Sequence, residues 1–155
     1  MVKYSKEDIS LDGKRIMALD LGEKNIGVAI SDVMGWTAQP LTTLRRSGMD
    51  SDMQFIKDLC SEHQVGSVVL GYPLNMNGTA GEAAKRAEKF RTKLMQELAI
   101  EVHLWDERLS TSRADQVMLE ADVSRQRRKK NKDKLAASII LESFLQSRPS
   151  GYIER

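Results

Sequence analysis

Apolar positions along the chain fall into runs and stripes whose periods name the elements. Ile16, Met17, Ala18 and Leu19 form an uninterrupted apolar run, the pattern of a strand covered on both faces. Gly27 to Ile30 is apolar again, and Gly22, Glu23, Lys24 and Asn25 between the two runs make them a hairpin. A third strand spans Thr37 to Leu44, where Pro40 has no N–H for a ladder and so marks an edge or irregular strand. Met53, Phe55, Ile56, Leu59 and Cys60 recur at helical spacing, which predicts a helix over about Asp52 to Cys60 with Asp50 or Ser51 as cap. Gly66 to Gly71 is a short buried strand, followed by the turn-forming YPLNMNGT. Ala80, Ala83, Ala84, Ala87, Phe90, Leu94 and Leu98 then trace one helical stripe over about Thr79 to Leu98, and Ile100 to Trp105 is a fifth strand. A helix between strands four and five implies a parallel, right-handed crossover. The expectation is an α/β fold, a five-stranded mixed sheet with helices on both faces.

Charge is distributed unevenly over this frame. Past the fifth strand, DERLSTSRADQVMLEAD carries a Ser and Thr cluster that can cap a helix packing through Ala114, Val117, Met118 and Ala121. Arg125, Arg127, Arg128, Lys129, Lys130, Lys132 and Lys134 then crowd around the single acid Asp133, which predicts a mobile basic loop. A final helix is expected from Asp133 to about Gln146, burying Leu135, Ala136, Ile139, Ile140, Phe144 and Leu145. Residues 1–14 read as a polar extension, 15–148 as one domain and 149–155 as a frayed tail. With 155 residues, 41% of them hydrophobic, the chain can bury a substantial core, while a net charge of +2 is too small to identify a nucleic-acid binder by itself. Cys60 is the sole cysteine, which excludes an intramolecular disulfide and fits a reducing compartment. No apolar run approaches the roughly 18 residues of a membrane span, and no signal-like segment is visible, so a cytoplasmic protein without membrane contact is expected.

Three acids recur at the ends of core elements: Asp20 after strand one, Asp106 or Glu107 after strand five, and Asp133 at the start of the last helix. Asp133 lies in helical register with Ala137, Ile140 and Phe144 and should point toward the sheet. Each acid also has a plain structural reading. Asp20 can bond the amides of a glycine turn, Asp133 can cap a helix, and a carboxylate at a strand end can simply be solvated. Strand parity places Asp106 with Leu104 and Glu107 with Trp105, and with both faces apolar it does not choose between them.

The pattern D-x-G-x-x-x-I-G-V-A-x-S-D, carried by Asp20, Gly22, Ile26, Gly27, Val28, Ala29, Ser31 and Asp32, resembles the opening motif of the YqgF family, also called RuvX. GYPLNMNGT at Gly71 to Thr79, DERLST at Asp106 to Thr111 and DKLAASIIL at Asp133 to Leu141 resemble its further motifs, so the likeness runs from Arg15 to about Leu145. These are bacterial RNase H-like proteins described as Holliday junction resolvases and as nucleases for the 5′ end of pre-16S ribosomal RNA. The resemblance implies Asp20, Glu107 and Asp133 as catalytic, metal-holding residues. The sequence departs from it at Lys24-Asn25, where the family commonly has two arginines.

Converging carboxylates offer hard oxygen ligands suited to Mg²⁺ or Mn²⁺. Lys24, Arg108 and the amides near Asn75, Asn77 and Gly78 are candidates for holding a phosphate backbone, although Arg108 could equally pair with Asp106. Arg127, Arg128, Lys129 and Lys130 would clamp nucleic acid through charge alone. The leading expectation is a metal-dependent nuclease acting on structured nucleic acid, which the resemblance implies to be a ribosomal RNA precursor, with ribosomal precursor particles as partners and branched DNA as the alternative substrate. An actin-like or sugar-kinase-like ATPase shares a similar first phosphate loop, but that machinery needs two lobes and a second such loop. A non-catalytic nucleic-acid-binding factor, its acids serving as turn and cap residues, is the third reading.

Overall fold

The computed structural model describes residues 14–109 and 125–151. The expectations for the N-terminal extension up to residue 13, for a helix through Ala114, Val117, Met118 and Ala121, and for residues 152–155 lie outside the described residues, as do the side chains of 125–131 and 148–151. Strands β1 (Arg15–Leu21), β2 (Asn25–Ser31), β3 (Ala38–Arg45), β4 (Val65–Tyr72) and β5 (Glu101–Asp106) form one sheet in the order β3-β2-β1-β4-β5. The hairpin makes β1, β2 and β3 antiparallel, and the crossovers make β1, β4 and β5 parallel, as the sequence pattern implies.

The unbroken apolar run of β1 has a direct cause, because its alternate residues enter two different cores. Met17 and Leu19, with Val28 and Leu70 of the neighbouring strands, pack against Met53 and Ile56 of α1 (Met49–Glu62) and against Phe90 and Leu94 of α2 (Glu82–Leu98). Ile16 and Ala18, with Ala29 and Val69, pack against Ala137, Ile140, Leu141 and Phe144 of α3 (Arg125–Gly151). Burying a side chain of this size is worth about 1.5–3 kcal/mol. The two faces together explain why β1 carries only apolar residues from Ile16 to Leu19.

Several expectations shift in detail. The segment read as a mobile basic loop is the first part of α3, which begins at Arg125 rather than at Asp133. Arg, Lys and Gln are good helix formers, and no Gly or Pro interrupts residues 125–148, so the helix propagates outward from its packed half. Asp133 is therefore interior to a helix and cannot be its N-cap. Helix α1 starts at Met49, after Gly48, without a side-chain cap from Asp50 or Ser51. The fully buried Asp52 fixes that end instead, accepting the Ser47 amide at 3.1 Å and Arg46 Nε at 3.1 Å. In α2 the buried stripe is Ala84, Ala87, Phe90 and Leu94, whereas Ala83 is exposed and Ala80 precedes the helix.

Strand β3 lies at the sheet edge and is irregular where Pro40 predicts it. Ala29 pairs with Pro40 and Val28 with Thr42, so Leu41 is an extra, unpaired residue that packs against the core. Among the described residues no helix is long and apolar enough to cross a membrane.

Candidate active site

The acids meet where three neighbouring strands end. Asp20 is the sixth residue of β1 and pairs across the hairpin with Gly27. Its parity with Ile16 and Ala18 turns it toward α3. On the other side β4 runs parallel to β1, with Leu19 opposite Leu70, so Gly71 lies one step beyond that pair and level with Asp20. Asp20 is thus flanked by a glycine on each side, and each glycine is needed for space. A Cβ on Gly27 would land on the Asp133 carbonyl, because the backbone of α3 rests directly on β2 at that point. A Cβ on Gly71 would land on the Glu107 carboxylate and reach 2.9 Å from Ile140 Cδ1. One glycine admits the helix carrying Asp133, and the other admits the side chain of Glu107.

Glu107 opens a 3₁₀ turn, Glu107–Leu109, and folds back over β4. Trp105 packs in the α3 core, which puts Glu107, two residues on, at the same face as Asp20. Asp106 is engaged elsewhere. Its Oδ1 accepts the Arg108 amide at 3.0 Å, and its carboxylate takes Arg108 Nη2 at 2.7 Å and Nε at 3.0 Å. Arg108 Nη1 also donates to the Met76 carbonyl at 3.3 Å, tying the loop after β4 to the end of β5.

The electrostatics follow from this crowding. Burial, and next the negative field of Asp133, push the Asp20 carboxyl from 3.8 up to about 6, with Lys132 pulling the other way. Burial pushes Glu107 from 4.5 up to about 7, assisted by Asp20 and then Asp106. Asp20 therefore feels both of its partners and links them. Among the described residues no three His, Cys, Asp or Glu side chains stand close enough to make a ready-formed metal cage. The donor set itself is all carboxylate oxygen, with Asp20 and Glu107 raised first by burial and then by neighbouring acids, and it has the chemistry that a hard divalent cation satisfies.

A family model described as RuvX, Holliday junction resolvase, matches residues 14–147. The chain belongs to the RuvX family. It is 53% identical over 131 residues to a protein of Syntrophomonas wolfei, covering 84% of this chain and 93% of that one. It is 52% identical over 135 residues to a protein of Clostridioides difficile, covering 87% and 95%. Both relatives are provisionally named pre-16S rRNA nucleases. Among solved structures, Thermus thermophilus RuvC in complex with a Holliday junction substrate matches at TM-score 0.55 and 10% identity, over 91% of this chain and 98% of that one. The fowlpox virus Holliday junction resolvase matches at TM-score 0.51 and 16% identity, over 86% and 99%. At these identities the likeness is one of fold, and the expected RNase H-like α/β architecture is borne out.

Within this RuvX-family frame the remaining site candidates separate. Lys24 is exposed in the β1–β2 turn, and its carbonyl accepts the Arg46 amide at 2.8 Å. Asn75 and Asn77 use their side chains on the loop itself: Asn75 Nδ2 donates to Thr79 Oγ1 at 2.9 Å, and Asn77 Oδ1 accepts the Thr79 amide at 3.0 Å. Gly78 turns the loop with φ +88, and its amide donates to the Asn75 carbonyl at 2.8 Å. Arg108 is spent on Asp106 and Met76. Arg127, Arg128, Lys129 and Lys130 lie on the helical start of α3. Sequence reasoning missed Arg45, an exposed arginine opposite Asn25 at the carboxyl edge of the sheet. The signal was Pro40, whose bulge sets which face Arg45 takes.

Proposed function

We propose that the chain is a divalent-metal-dependent nuclease that processes the 5′ end of pre-16S ribosomal RNA, with Asp20, Glu107 and Asp133 as its catalytic carboxylates. The observation that carries this is the glycine-flanked row at Gly27, Asp20 and Gly71, which draws two further acid-bearing elements onto one half-buried aspartate. No fold needs such an arrangement, since it raises the cost of ionising Asp20 and Glu107. Mg²⁺ or Mn²⁺ held by the three carboxylates would supply an activated water and stabilise the leaving 3′ oxygen.

The chain's own residues orient and hold. Asp20 sits on the rigid centre of the sheet, while Asp133 and Glu107 are delivered by α3 and by the 3₁₀ turn. Their carboxylates must be ionised to bind a cation, so they act above the raised values of Asp20 and Glu107. Lys24 in the β1–β2 turn, Lys132 beside Asp133 and the basic residues of the first half of α3 would gather the phosphate backbone, and the Asn75–Thr79 loop would supply a wall. The substrate assignment follows the names of the relatives at about half identity. Branched DNA is the competing substrate, favoured by the fold shared with RuvC.

The test is cleavage by purified protein of a precursor 16S RNA fragment and of a four-way DNA junction, with Mg²⁺ and with chelator. Cleavage of the RNA near the mature 5′ end, lost in chelator and in Asp20→Asn, Glu107→Gln and Asp133→Asn, is expected. Wild-type turnover in any one variant removes that residue from the site, and cutting of the junction alone replaces the RNA reading with the DNA one.

A further inference from the structure

Arginines at the carboxyl edge of the sheet divide into committed and uncommitted groups. Arg46 is committed, with Nε on Asp52, Nη1 donating to the Gly22 carbonyl at 3.2 Å, and its guanidinium 5.6 Å from the Phe90 ring centroid. Arg108 is committed to Asp106 and Met76. Arg45, by contrast, is exposed and makes no side-chain hydrogen bond or ion pair among the described residues.

Its face is set by the β3 bulge. Gly27 faces α3, since a Cβ there would meet the Asp133 carbonyl, and it pairs with Asp20 on one side and Thr43 on the other. Arg45 lies two residues beyond Thr43, opposite Asn25, and therefore shares the face of Asp20. Were Leu41 not an extra, unpaired residue, every β3 residue past it would move one place along β2, and Arg45 would turn to the opposite face. One extra residue thus delivers a guanidinium to the acid side of the sheet.

We infer that Arg45 is a phosphate-binding residue of the substrate groove, holding a backbone phosphate beside the bond that the acids address. The inference rests on the nuclease reading above and adds a contact that the other arginines do not supply. Strand β3 lies two strand spacings from β1, about 10 Å, and Arg45 is displaced further along its strand. That separation exceeds what an arginine side chain spans, so the guanidinium reaches a neighbouring phosphate and not the one being cut. Its planar fork suits two phosphate oxygens, and its fixed charge makes the contact independent of pH. The path of the backbone is also indicated. Helix α3 crosses from β5, where Phe144 packs edge-on to Trp105 at 5.6 Å, to β2, where Asp133 rests on Gly27. Residues 125–132 of α3, N-terminal to Asp133, are rich in Arg and Lys, and Arg45 adds a positive charge on the sheet face that α3 covers.

The test is binding of a fluorescein-labelled RNA hairpin with a single-stranded 5′ extension, in chelator, across a salt series. Arg45→Gln should flatten the log–log salt slope by about 0.7–0.9, the loss of one phosphate contact, and weaken binding several-fold at low salt. Arg45→Lys should keep the slope, and Arg108→Gln should leave it unchanged. With Mg²⁺, Arg45→Gln should raise KM and leave kcat alone. A slope and Kd equal to wild type in Arg45→Gln, or a loss confined to kcat, overturns the assignment. Binding that responds to Arg45 without any Mg²⁺-dependent cleavage would instead sink the nuclease reading and leave Arg45 as a phosphate contact.

Discussion

Replacing Asp20 by Asn should stabilise the metal-free protein, and by an amount that depends on pH. Asp20 rises from 3.8 to about 6, chiefly through burial and then through Asp133. At 1.36 kcal/mol per unit, the ionised carboxylate costs the folded state on the order of 3 kcal/mol. Asn is of nearly the same shape but still has an amide to desolvate, so the net gain is smaller, about 1–3 kcal/mol. An acid whose folded-state value lies above its unfolded one holds its proton more tightly when folded. Its contribution to stability is fully present below about pH 4 and is lost as pH rises through about 6. Glu107, raised from 4.5 to about 7, behaves alike, and Asp20 is the second cause of its rise. Removing the Asp20 charge therefore also lowers the cost of ionising Glu107. The assay is a melting series in chelator from about pH 4 to pH 8, read as the difference between variant and wild type. The two should melt nearly together at the acid end, and Asp20→Asn should melt higher by several degrees above about pH 6.5, at about 2–4 °C per kcal/mol for a chain of this size. Saturating Mg²⁺ should reverse that order, because a cation bound only to the native state stabilises the wild type by mass action. A difference that is the same at every pH, or one that Mg²⁺ does not alter, would refute the placement of Asp20 in a repelling acid cluster.

Gly71→Ala should cost about 1–3 kcal/mol of stability and remove most activity, since its Cβ displaces the Glu107 carboxylate, whereas Glu107→Gln should cost activity without destabilising; equal activity in Gly71→Ala and wild type would show that Glu107 need not lie over β4. Gly27→Ala should destabilise more than Gly71→Ala, because its Cβ meets helix backbone that cannot rotate away, and thermal melting of the two variants gives the order. Replacing Arg127, Arg128, Lys129 and Lys130 together by Gln should flatten the salt slope for RNA binding by about 1–2 units, with kcat unaffected. On a flexible loop all four could engage and the loss would approach 4, but four consecutive helical positions cover a full turn and cannot all meet one backbone.

The fold was legible wherever local pattern coincides with burial. The two-sided core of β1, the hairpin at Gly22, the irregular β3 at Pro40 and the crossover through α2 all follow from period and turn chemistry. The start of α3 was not, because a dense run of like charge reads as solvated loop while its individual residues favour helix, and the packed half beyond Asp133 decides the contest. The cap expected from Asp50 or Ser51 failed for a related reason. Asp52, one turn into the helix, is drawn inward by Arg46, a partner that only the fold brings near. At the candidate site the resemblance named Asp20, Glu107 and Asp133, whereas strand parity by itself left Asp106 and Glu107 open. Two-faced apolar strands carry no parity signal; in the structure Arg108 pairs with Asp106, and Trp105 lies in the α3 core.

Glycine is the residue whose meaning changed most between sequence and structure. Gly27 and Gly71 read from the chain as parts of apolar strands, where glycine ordinarily weakens packing. In the sheet they flank Asp20 on both sides, and each marks a place where another element must approach closer than a Cβ allows. Their lack of side-chain bulk lets α3 and Glu107 approach the strand row of Asp20, and the raised values of Asp20 and Glu107 follow from the burial that this approach brings. On the proposed reading, a cation bound by these acids would offset the stability forgone by that approach. Metal affinity and apo-state destabilisation should therefore rise and fall together in variants that alter the spacing of the acids while keeping all three.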